Sequence, residues 1–158
     1  MEWKGGDSMS TRCQVNVRGG LNNDNVTLYH HCDGYPEYMI PVIHKAFHSL
    51  EDKGYPHWQL ARGGKSASIL CSADPLEFEV EQGNHLHGDI EFLYVITVSN
   101  ETTPVWDVRV YSVSDIWDQL IELTTMPIDI QLKPYDFKLI EHDHIDKLFE
   151  SYPNVYKV

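Results

Sequence analysis

Apolar and polar residues first fall into register just after Met9-Ser10-Thr11-Arg12. Cys13, Val15 and Val17 alternate with Gln14, Asn16 and Arg18. A period of two predicts a strand with one apolar face. The next stretch, Gly19-Gly20-Leu21-Asn22-Asn23-Asp24-Asn25, is dense in turn formers. Val26 to His31 resumes the alternation, with Val26, Leu28 and His30 on one face and Thr27, Tyr29 and His31 on the other. A hairpin is the expected result.

After Gly34 the period changes. Met39, Ile40, Ile43, Phe47 and Leu50, with Val42 and Ala46, fit a helical stripe that ends at Gly54 and Pro56. Pro36 and Glu37 suit a first turn, but Pro41 would remove an internal hydrogen bond, so the regular helix starts at either Pro36 or Pro41. A weaker helix is expected over Ala61 to Ala73, interrupted by Gly63-Gly64.

Sheet patterns follow. Leu76, Phe78 and Val80 alternate with Glu77, Glu79 and Glu81, which sets three carboxylates on a face turned to water. Ile90 to Val98 is apolar on both parities and predicts a central strand covered on both sides. Pro104 to Val113 gives another strand. Ser114 caps a helix carrying Ile116, Trp117, Leu120, Ile121 and Leu123, which Met126-Pro127 stops. A last helix is expected around His144 to Ser151. The order predicts an α+β fold in a single domain over residues 9–158, with an antiparallel or mixed sheet and two to four helices. Residues 1–8 read as a flexible leader.

Charge changes this picture. The chain has 158 residues and a net charge of −12. Residues 1–65 are neutral, residues 66–132 set Arg109 alone against twelve acids, and residues 133–158 are near balance. An acidic middle repels phosphate backbones and disfavours direct nucleic-acid binding, while a basic protein partner would be attracted. There is no apolar run long enough for a membrane span and no basic-then-apolar signal pattern. Cys13, Cys32 and Cys71 are sparse, odd in number and widely spaced, as expected of reduced thiols in a cytoplasmic protein.

Three polar clusters could carry chemistry. His30-His31-Cys32-Asp33 closes the second strand, where His31 and Asp33 could share a metal or a proton if the strand runs straight. His85-Leu86-His87-Gly88-Asp89 matches part of a dinuclear zinc hydrolase pattern, with His85, His87 and Asp89 as ligands, but Ile90 stands where the pattern needs a further His. Glu141-His142-Asp143-His144-Ile145-Asp146 could gather a metal if it folded back, or simply cap a helix. Gly63-Gly64-Lys65-Ser66 looks like the end of a phosphate loop, but Trp58 replaces its first glycine. No cysteine or serine sits in a nucleophile motif.

Met9-Ser10-Thr11-Arg12 together with Tyr29-His30-His31-Cys32-Asp33-Gly34-Tyr35-Pro36 resembles a group of small bacteriophage and prophage proteins. These share a Met-small-Thr-Arg start and a Tyr-x-His-Trp-Asp-Gly-Tyr motif. Arg12, His31, Asp33, Gly34 and Tyr35 fall on the shared pattern, while Cys13 replaces a Ser and Cys32 a Trp or Tyr. The resemblance spans residues 9–50 and implies a phage or mobile-element source without an activity. It also suggests that Arg12 and Asp33 meet at the hairpin base, with Tyr35 beside them. Two functions stay open. One is a cytoplasmic accessory or interaction protein with an acidic surface. The other is a small metal-dependent hydrolase or nucleotide-binding enzyme with His31, Asp33 and Tyr35 as catalytic candidates, Arg12 as an anion clamp and a divalent metal as cofactor.

Overall fold

The computed structural model describes residues 11–20, 24–50, 55, 61–81, 86–87, 89–99, 105–113 and 137–153. The leader, His85 and the helix expected from Ser114 lie outside them. Six strands form one mixed sheet: β1 (Arg12–Arg18), β2 (Asn25–His30), β3 (Phe78–Val80), β4 (Ile90–Val98), β5 (Trp106–Ser112) and β6 (Lys138–His144). Their spatial order is β3-β2-β1-β4-β5-β6. Every neighbouring pair is antiparallel except the central β1–β4 pair, which is parallel. Three described helices, α1 (Pro36–Ser49), α2 (Gly63–Ala73) and α3 (Ile145–Ser151), complete the α+β architecture.

The helices cover one face. Val15, Leu28, Tyr94, Ile96, Trp106 and Val108 of the sheet join Ile40 and Ile43 of α1, Leu70 of α2 and Leu148 of α3 in one core. β4 is buried on both parities apart from a few positions, as its apolar run requires. β1 departs from its alternating pattern, because its polar parity is buried too. A second apolar cluster of Tyr29, Leu86, Ile90, Leu93, Val95, Val113 and Phe137 covers that face. Gln14 and Asn16 tolerate this burial because they are bonded: Gln14 Oε1 accepts the His87 N–H at 2.9 Å, and Asn16 Nδ2 donates to Thr27 Oγ1 at 3.0 Å.

Helix α1 starts at Pro36 and runs through Pro41. The carbonyl deprived of its partner by Pro41 is that of Glu37, an exposed residue in the first turn, which limits the cost. β3 is shorter than the alternation from Leu76 suggests. A turn closed by Glu77 N–H donating to the Asp74 carbonyl at 3.3 Å precedes it. β6 is a strand the pattern did not contain, because its residues are mostly polar and partly exposed at the sheet edge.

Candidate functional site

The Asp33-Gly34 turn organises the end of β2. Asp33 adopts φ 54°, a left-handed conformation that aspartate tolerates better than most residues. Gly34 N–H donates to the Thr11 carbonyl at 3.0 Å, and the buried Tyr94 hydroxyl donates to the Gly34 carbonyl at 2.7 Å. A Cβ at Gly34 would lie 2.8 Å from Cys13 Cβ, so the backbones can approach only because residue 34 is glycine. The hairpin base is thus tied through the backbone.

The two histidines part here. His30 is fully buried on the helix face, with Nε2 2.9 Å from Asp74 Oδ2, and the Tyr38 hydroxyl donates to that same oxygen at 2.9 Å. His30 Nδ1 is buried without a partner among the described residues. Tyr35 donates to Asp33 Oδ1 at 3.0 Å, and the Cys32 thiol donates to Glu77 Oε1 at 3.1 Å. Burial, and then the Glu77 carboxylate, push the Cys32 thiol up to about 12. Burial likewise raises Cys13 and Cys71. None of the three is poised as a thiolate nucleophile.

His31 lies on the opposite face, where its Nε2 is 2.8 Å from Glu79 Oε1. The Tyr29 ring stands between those of His31 and His87, with centroids 4.9 and 4.7 Å away. Its hydroxyl donates to Asp89 Oδ2 at 2.6 Å, and burial followed by this carboxylate raises its pKa. His87 Nε2 is 2.7 Å from Glu81 Oε2. Arg12 Nε is 3.6 Å from Asp89. The fold therefore draws Arg12, His31, His87 and Asp89 from two distant segments onto one face. At the hairpin base, Asp33 holds the Tyr35 hydroxyl. On this face each imidazole faces its own glutamate, and the four groups do not converge on one point.

The outer edge of this region is β3. Residues Glu77 and Glu81 bond inward to β2, through Glu77 O to His31 N–H at 3.1 Å and Glu81 N–H to Thr27 O at 2.9 Å. Backbone groups of alternate residues therefore turn outward at Phe78 and Val80. Leu76 is 90% exposed and Val80 62%. Val80 also lines an open groove of ≈ 500 Å³ with Val26, Ala67, Cys71 and Pro75.

Two further motifs resolve differently. The phosphate-loop-like glycines begin α2, and their amides are taken by Asp24: Gly63 N–H donates to Oδ1 and Gly64 N–H to Oδ2, each at 3.0 Å. The protein supplies its own anion at that helix terminus. Of the third polar cluster, Glu141 accepts from the Tyr152 hydroxyl at 2.6 Å, His142 Nε2 lies 3.0 Å from Asp107, and Asp143 accepts its neighbour's amide. Only Asp146 turns to α1, where His48 Nε2 is 2.6 Å and His44 Nε2 3.4 Å from its Oδ1. Among the described residues, these three form the one group of potential ligand atoms gathered within 4.8 Å. Burial and then the neighbouring His48 lower the His44 pKa, against the pull of Asp146. His44 and His48 lie outside the three polar clusters of the sequence. Their i, i+4 spacing within a predicted helix was the available sign.

No described helix is long and apolar enough to cross a membrane. Comparison with protein-family models, curated proteins and solved structures finds no match to this chain.

Proposed function

We propose that this protein is a non-enzymatic accessory protein of the phage or mobile-element kind, acting in the cytoplasm by docking a basic, extended segment of a protein partner along β3. The observation that carries this reading is the exposure of Val80 on the edge strand β3 and of Leu76 in the turn before it, in a segment that also carries Glu77, Glu79 and Glu81. Unpaired edge backbone is a template for an added strand. The partner's apolar side chains would cover Val80 and enter the groove beside α2, and its lysines or arginines would meet the glutamates. The raised thiol pKa values and the pairing of His31 and His87 each with its own glutamate favour binding over catalysis at this end of the sheet.

Selection of a displayed random-peptide library on the full chain tests the proposal. Enriched peptides are expected to alternate Lys or Arg with apolar residues. Their affinity should fall as salt rises from low to about 0.5 M. It should vanish for Leu76→Asp/Val80→Asp, which leaves the core untouched. Absence of enrichment, or equal binding to that double variant, overturns it.

A further inference from the structure

The geometry points to a binding site for a divalent transition-metal ion of the zinc class at the junction of α1 and α3, with His44 Nε2, His48 Nε2 and Asp146 Oδ1 as its protein ligands. Residues four apart project from one helical face, so α1 offers both imidazoles in the same direction. Asp146, in the first turn of α3, meets them from the other side.

The distances suit such an ion. Metal–ligand bonds of about 2.0–2.2 Å in a tetrahedron place ligand atoms roughly 3.3–3.6 Å apart. His44 Nε2 and Asp146 Oδ1 are already 3.4 Å apart. The His48–Asp146 separation of 2.6 Å would open by under about 1 Å, within reach of side-chain rotation at a partly exposed aspartate. Two imidazole nitrogens are aimed at one carboxylate oxygen, the convergence that a shared cation requires. A cation between them would be held by all three.

The His44 ring is also held in place. It stacks on Phe149 at 3.7 Å with the planes 5° apart, and Phe149 follows Asp146 by three residues on the same helix. One turn of α3 therefore supplies both the third ligand and the packing that orients the first, the arrangement that makes a metal site preorganised. Two imidazoles and one carboxylate favour Zn²⁺, Co²⁺, Ni²⁺ or Cu²⁺ over the all-oxygen preferences of Ca²⁺ and Mg²⁺. Side-chain exposures of 24%, 38% and 57% for His44, His48 and Asp146 allow an ion to enter from solvent without unfolding. Three protein ligands leave a coordination position for water or for an outside donor. None of these residues belongs to β3, so the site stands or falls independently of partner docking.

The test is titration of untagged, metal-stripped full-length protein with Zn²⁺ and with Co²⁺, read by calorimetry, by the visible bands of tetrahedral Co²⁺ and by melting temperature. The wild type is expected to bind one ion per chain and to melt higher when loaded. His44→Phe keeps a ring stacked on Phe149 but removes the donor nitrogen, and Asp146→Ala changes a largely exposed position. Each should weaken binding by at least about a hundredfold and abolish the metal-induced rise in melting temperature. His31→Ala/His87→Ala should bind like the wild type. Failure of the wild type to bind, undiminished binding by His44→Phe and Asp146→Ala, or loss in His31→Ala/His87→Ala alone overturns the assignment.

Discussion

Asp24 is the residue whose removal the structure prices most clearly. Its two carboxylate oxygens accept the Gly63 and Gly64 amides, and its own carbonyl accepts the Gly19 N–H at 2.8 Å, so it fastens the first hairpin to the start of α2. The approach is close enough that a Cβ on Gly63 would meet the Asp24 carbonyl oxygen at 2.6 Å. Asp24→Ala deletes both side-chain bonds. The Gly64 amide is exposed and water replaces its partner at little cost, whereas the part-buried Gly63 amide is left short. A lost helix cap costs about 1 kcal/mol and an unmet, partly buried donor roughly 1–2 more, giving about 2–3 kcal/mol in total. For a chain of this size that is a fall in melting temperature of roughly 4–12 °C. Asp24→Asn keeps one acceptor oxygen and should lose about half as much. Burial opposes ionisation of Asp24, but the Gly63 and Gly64 amides, its own amide and Arg62 outweigh it and hold the carboxyl below its ordinary value. Its stabilisation is therefore complete above the ordinary aspartate pKa and drains away as pH falls through the depressed folded-state value. Denaturant unfolding of wild type and Asp24→Ala from about pH 5 to about pH 2 should show the two stabilities converging in acid. A gap that stays constant to the lowest pH, or a difference under about 0.5 kcal/mol at neutrality, would refute the role given to these bonds.

Three other outcomes can be checked with simple measurements. Tyr94→Phe strands the Gly34 carbonyl in the core and should cost about 1–2 kcal/mol by denaturant unfolding, in contrast to Tyr29→Phe, whose partner Asp89 is half exposed. Trp106→Phe removes an indole N–H that is buried without an acceptor among the described residues; the gain offsets part of the lost volume, so the loss should stay below about 2 kcal/mol rather than reach the 3–5 kcal/mol range of large core truncations. With its thiol near 12, Cys32 holds about a thousandth of the thiolate of an ordinary cysteine at neutral pH; greater intrinsic nucleophilicity returns part of this, leaving alkylation by iodoacetamide roughly thirtyfold slower than in the unfolded chain.

Much of the sheet could be read from side-chain periodicity, and the exceptions have physical reasons. Ile90 to Val98 announces a doubly covered strand because burial on both faces demands apolar residues at both parities. β1 is equally buried but does not announce it. Gln14 and Asn16 are made tolerable by Thr27 and the His87 amide, partners that no local pattern reveals. β6 hides because an edge strand facing solvent needs no apolar alternation. Parity alone separates His30 from His31, and the structure sets them in different networks. The meeting of Tyr29 with Asp89 joins residues 60 apart, and that of His48 with Asp146 residues 98 apart. Such pairings depend on strand order and helix docking, which residue types encode only collectively.

The parallel pairing at the middle of the sheet divides the molecule in a way its single core conceals. On one side lie β3, β2 and β1, antiparallel to their neighbours, with α1 and α2; on the other lie β4, β5 and β6, likewise antiparallel, with α3. The β1–β2 hairpin closes locally, whereas β3 returns to β2 across about fifty residues and β1 meets β4 across more than seventy, so much of the sheet depends on slow long-range closure. That seam joins the two units at the centre of the sheet, where Val15, Val17, Tyr94 and Ile96 are fully buried, so amides bridging β1 and β4 should be among the slowest to exchange. His44 and His48 lie in one unit and Asp146 in the other. An ion held by all three would bolt the seam shut, coupling metal supply to the lifetime of the folded state.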